Sequence, residues 1–95
     1  MIKVKINNNK IVISGHAMYD ENGKDIVCSA VSSIVITSVN ACLMFDKNSI
    51  KYKSNDGYME IEILKDDHTT EIIIKNMINM LEDLSKDYKK NIKIL

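Results

Sequence analysis

The sequence predicts an α+β fold: a small antiparallel β-sheet of four to five strands with two α-helices packed on one face. Three observations carry this expectation. Short runs rich in Ile, Val and Tyr come in pairs joined by the turn signals Asn7-Asn8-Asn9 and Ser54-Asn55-Asp56-Gly57. Two long stretches, opening at Asp25 and at Asp66-Asp67, repeat apolar or polar residues at helical spacing. Ninety-five residues leave room for one domain, 1–95, and no second.

The first strand alternates Ile2, Val4 and Ile6 inward against Lys3 and Lys5 outward. The asparagine turn, tolerant of positive φ, closes it onto a second strand over 11–15. Residues 17–24 hold Asp20, Glu21, Asn22 and Gly23 with little apolar content, so they read as a connecting loop and a candidate lid. The run 26–45 is ambiguous by propensity, because Val and Ile favour strands. Its periodicity decides for a helix: Ser29, Ser33, Thr37 and Asn40 recur at four, four and three residues and form one polar stripe. With apolar or small residues elsewhere, that helix is expected to be mostly buried.

Asp46-Lys47-Asn48-Ser49 ends it. The runs 50–53 and 58–64 then flank an Asp-Gly hairpin turn, with Met59, Ile61 and Ile63 facing the core. Glu60 and Glu62 face out, where Lys51 and Lys53 can pair with them across strands. The second helix has cap residues and acids at its positive end and a core stripe of Ile74, Met77, Ile78, Leu81 and Leu84. Tyr88 ends it, and 91–95 forms a short, lysine-flanked last strand.

Formal net charge is zero, and all 13 basic residues are lysines. Nucleic-acid binders usually show a basic excess and arginine forks, so direct nucleic-acid binding is not expected. No run approaches the ~20 apolar residues of a membrane span, and the N-terminus lacks the apolar core of a signal peptide, so a cytoplasmic protein without membrane contact is expected. Cys28 and Cys42 on one helix lie about 21 Å apart along its axis. A disulfide needs Cα atoms within about 7 Å, so the two do not pair. His16, Cys28, Cys42 and His68 also lack the close spacing of zinc ligands, so neither metal nor cofactor is expected.

Chemistry concentrates at 15–32. Asp25 is suited to cap the helix that follows, its carboxylate accepting from first-turn amides. Cys28 then sits in the first turn, a setting that favours the thiolate, and the same amides could hold an oxyanion. His16, at the end of the second strand, is the one nearby candidate base. Gly15 beside it lets the backbone turn or approach a ligand closely. Ser32, one turn beyond Cys28, either hydrogen-bonds a substrate or bonds back to the carbonyl four residues earlier. The alternative stays open here that Cys28 is a small buried hydrophobe and His16 an ordinary loop histidine.

Gly15-His16-Ala17, a five-residue gap, Gly23, a spacer and Asp25-Ile26-Val27-Cys28-Ser29-Ala30-Val31-Ser32 together resemble the signature of the ribosomal-processing cysteine protease Prp family. Ser38-Val39-Asn40-Ala41, Leu81-x-x-Leu84-x-x-x-Tyr88 and Ile92-Lys93-Ile94 extend the resemblance over nearly the whole chain. Ser29 where Ala is common and a short first hairpin loop are the departures. The resemblance implies a cysteine endopeptidase with His16 and Cys28 as catalytic pair, and Gly15, Gly23, Asp25 and Ser32 supporting it or binding substrate. It implies a homodimer that removes a short N-terminal extension from a large-subunit ribosomal protein, with an apolar pocket for that extension. The other reading is a non-catalytic ribosome-associated binding module of the same fold.

Overall fold

The computed structural model describes residues 1–21 and 24–95. The elements run β1 (Ile2–Asn7), β2 (Lys10–Ser14), α1 (Ile26–Phe45), β3 (Ile50–Asn55), β4 (Tyr58–Ile63), α2 (His68–Asp87) and β5 (Ile92–Ile94). The expected α+β architecture of five strands and two helices is present. The sheet order is β3-β4-β2-β1-β5. It is mixed rather than wholly antiparallel, because β5 pairs parallel with β1.

Strand direction explains the layering. β2 and β3 both run antiparallel to β4, and are therefore parallel to each other. β4 and β5 are likewise parallel, with β2 and β1 between them. Parallel strands need a crossover of a dozen or more residues, and each 20-residue helix supplies one. The two crossovers start from oppositely directed strands and step to opposite sides. The right-handed rule then puts both helices on the same face, where they pack against each other.

Between these layers lies the core: Val4, Ile11, Ile13 and Ile61 from the sheet, Val27, Val31 and Val35 from α1, and Met77 and Leu81 from α2. Each such side chain contributes on the order of 1.5–3 kcal/mol by leaving water. Ile6, expected inside, is exposed at the end of β1. The larger difference concerns α1. Its polar stripe is exposed as expected, but so are Ile36, Leu43, Met44 and Phe45, while burial is confined to Val27, Val31, Val35, Ser38, Val39 and Cys42. A five-stranded sheet shared with α2 covers one side of a helix, so the other keeps its apolar residues in solvent. By length and hydropathy α1 could cross a membrane, against the sequence expectation; in the fold its inner side is core.

Candidate active site

The chain leaves β2 through Gly15, whose φ is +94°. A Cβ there would collide with the Met1 carbonyl oxygen, so glycine is needed for both conformation and space. The Gly15 N–H donates to the Gly57 carbonyl at 2.8 Å, which ties the end of β2 to the β3–β4 turn. His16 follows, its side chain 57% exposed and its ring lying over Gly57. A Cβ at Gly57 would stand 2.8 Å from His16 Nε2. On the same turn, Asp56 Oδ1 is 3.9 Å from Nε2. Both carboxylate and ring are well solvated, so this pair is weak by itself.

Ala17 fixes the next step of the chain. It is buried; its N–H donates to Cys28 Sγ at 3.3 Å, and its carbonyl accepts from Asn91 Nδ2 at 2.9 Å. The residue bonded to His16 is thus held on the sulfur of Cys28. Tyr19 packs edge-to-face on Tyr88, ring centroids 5.5 Å apart, which anchors the loop further. Sequence reasoning missed Asn91 and Gly57, because both reach the site only through sheet topology.

Asp25 caps α1 as expected. Its Oδ1 accepts from the amides of Val27 and Cys28, each at 3.0 Å, and its Oδ2 from Tyr19 at 3.0 Å and Asp20 at 3.4 Å. Burial opposes its charge, but these backbone donors outweigh that and hold its carboxyl below the usual carboxylate range. All four bonds go to backbone, so Asp25 organises the helix start and the loop. One expectation is corrected here. The amides of Val27, Cys28 and Ser29 are not free for an oxyanion: Val27 and Cys28 N–H serve the Asp25 carboxylate, and Ser29 N–H donates to the Asp25 carbonyl.

Cys28 is half-buried and lines a cleft of about 730 Å³ with His16, Ser32, Asp56 and Gly57. The cleft's apolar lining includes Ile13, Ile36, Tyr52 and Met59. Gly15, Asp25 and Met18 border it too, so five of the six sequence-selected residues meet at one place. The sixth, Gly23, lies outside the described residues. Cys42 is fully buried at the far end of α1, where burial and then the charge of Asp67 push its thiol up. That fits a packing residue. His68 is the exposed first residue of α2 and does not line the cleft. Among the described residues, no three His, Cys, Asp or Glu side chains gather as a metal site.

Comparison with known proteins supplies the family. The family model described as cysteine protease Prp matches residues 1–93. The ribosomal processing cysteine protease Prp of Staphylococcus aureus is 30% identical over 87 residues, covering 88% of this chain and 82% of that protein. Its counterpart in Mycoplasma genitalium is 35% identical over 74 residues, covering 78% and 72%. Among solved structures, the S. aureus protease with a covalently linked product peptide superposes with a TM-score of 0.88 at 24% identity, covering 98% of this chain and 94% of that one. At that identity the likeness speaks for the fold. The full-length family match and the relatives at 30% identity or more speak for descent. This chain belongs to the cysteine protease Prp family and is a cysteine protease.

Proposed function

We propose that Cys28 and His16 are the catalytic pair of an endopeptidase that removes a short N-terminal extension from a large-subunit ribosomal protein. The observation that carries this reading is the 3.3 Å bond from Ala17 N–H to Cys28 Sγ. It holds the residue next to His16 on the sulfur, which leaves side-chain rotation as the route by which the imidazole would reach the thiol. His16 takes the thiol proton, and Sγ attacks the scissile carbonyl. As the C–S bond forms, negative charge moves to the carbonyl oxygen. The Ala17 N–H, already aimed at the sulfur, is the donor placed to meet it. His16 then gives its proton to the leaving amine, and a water hydrolyses the thioester with His16 again as base.

Ile13, Ile36, Tyr52 and Met59 suit apolar side chains of the extension, and Ser32 faces the same cleft. The exposed apolar residues of α1 support a homodimer. A ribosomal-protein substrate, as the names of the relatives indicate, fits a cytoplasmic enzyme.

The test offers the extended ribosomal protein to the unmodified enzyme and to the Cys28→Ala, His16→Ala and Cys42→Ala variants. Cleavage is expected to fall by at least ~10³-fold in the first two, since nucleophile and base act as one unit, and to persist in the third. No cleavage by the unmodified enzyme would favour the non-catalytic binding module. Full cleavage by His16→Ala would remove the histidine from the mechanism.

A further inference from the structure

The formal charge of zero conceals a strong separation of sign. The face of the sheet turned away from the helices carries Lys3 and Lys5 on β1, Lys10 on β2, Lys51 and Lys53 on β3, and Lys93 on β5. Its acids are Glu60 and Glu62 on β4. Six lysines against two glutamates leave this face with four excess positive charges, and the remainder of the chain with four excess negative ones.

The two glutamates serve one half of the face. Lys51 and Lys53 stand opposite Glu62 and Glu60 in the ladder, and Lys10 Nζ lies 3.9 Å from Glu60. The other half has none. Lys3 is the direct register partner of Lys93, and opposite Lys3 and Lys5 on β2 stand Ser14 and Val12. Among the described residues, none of these three lysines has an ion-pair partner. Like charges directly opposed in a ladder destabilise it. Protection of a sheet edge does not account for Lys3 and Lys5, because β1 lies inside the sheet between β2 and β5.

We infer that this lysine face is a docking surface for the phosphate backbone of RNA. Lys3 and Lys5 stand about 7 Å apart along their strand, with Lys93 about 5 Å to the side, on long stems that can follow successive phosphates. Such contacts carry no sequence information and position the protein by charge. An anionic membrane suits the face less well. Interfacial binding needs apolar side chains to insert, and this face offers the half-buried Val12 and a Tyr58 whose hydroxyl is bonded to Glu60 at 2.7 Å. The cleft opens on the helix side, so RNA held behind the sheet leaves it free for peptide. The inference is independent of how His16 and Cys28 share the chemistry. It departs from the sequence-based expectation, which rested on the zero net charge and on the absence of arginine, neither of which shows how the lysines are distributed.

The experiment uses a labelled RNA duplex without ribosomal sequence, vesicles containing phosphatidylserine, and three forms of the whole chain. One form is unmodified, one carries Lys3→Gln, Lys5→Gln and Lys93→Gln, and one carries Lys47→Gln, Lys75→Gln and Lys86→Gln as a charge-matched control. Expected is weak RNA binding whose log K falls against log salt with a slope of about −2 to −3, as for three or so phosphates. The sheet variant should bind at least tenfold more weakly, the control should match the unmodified chain, and all three should cleave a short peptide substrate at the same rate. Absence of RNA binding at low salt, an equal loss in the control, or binding to vesicles in preference to RNA would overturn the inference. Loss of peptide cleavage in His16→Ala and Cys28→Ala is read separately and bears on the catalytic pair alone.

Discussion

At Asp25 one carboxylate takes four backbone donors, two from the helix it caps and two from the loop that follows His16. Asp25→Ala should therefore cost about 1–2 kcal/mol, the upper part of the range for a lost cap, and should loosen Tyr19 and Asp20 as well as the first turn. Its carboxyl is held below the usual range in the folded protein, against about 3.9 in an unfolded chain. The stability it contributes is thus fully present above about pH 4 and is lost as pH falls through the lower folded value. Amide protection factors at Tyr19, Asp20 and Cys28, corrected for the intrinsic rate at each pH, should fall together in acid. The same acid response in Asp25→Asn would show that another group is responsible. The sequence made the cap and the place of Cys28 legible, because Asp-Ile-Val-Cys is a local pattern. It did not show that the carboxylate's second oxygen binds the loop. That depends on a reversal at Met18, at φ +59°, which no glycine announces.

At the scale of elements, the β3–β4 hairpin turn carries more than its strands. Asp56-Gly57 was readable as a turn. Its contact with a histidine 41 positions earlier was not, since that requires knowing that β4 lies beside β2. Gly57 has two reasons to be glycine: a φ of +68° and the His16 ring above it. Two substitutions separate them. Gly57→Asn tolerates positive φ better than Gly57→Ala, so it should keep the higher Tm. If the ring needs the space, both variants should lose cleavage by about tenfold or more, since a misplacement of ~1 Å can cost up to 10²-fold. Their melting should change little beyond the turn strain, because a half-exposed imidazole can move aside. A Gly57→Asn variant that cleaves at the unmodified rate would reduce Gly57 to a turn residue. The parallel placement of β5 was equally illegible: three residues, Ile92–Ile94, carry alternation but no direction, which comes from α2 serving as a crossover.

For the molecule as a whole, α1 is the element whose environment composition misjudged. A helix apolar on most sides usually reads as buried all round. Here the polar stripe correctly marked a solvent side, but the residues flanking it stayed exposed, Met44 at 88%. Asn40, Leu43 and Met44, beyond the cleft-lining Ile36, share one side of the helix, and on this side the proposed homodimer would seat its second copy. Leu43→Glu combined with Met44→Glu should shift sedimentation of the proposed dimer to that of a monomer while leaving the far-ultraviolet circular dichroism unchanged. An unmodified chain that is monomeric at micromolar concentration would contradict this.

The central claim is that one sulfur, placed where α1 begins and held beside the residue that follows His16, performs the bond cleavage. A peptide of the extension ending in a chloromethyl ketone tests it most directly, with the adduct located by tandem mass spectrometry. The account predicts one adduct per chain, on Cys28, inactivation in step with labelling, and slow labelling in His16→Ala. An adduct on Cys42, or a fully labelled Cys28 in an enzyme that still cleaves, would contradict it.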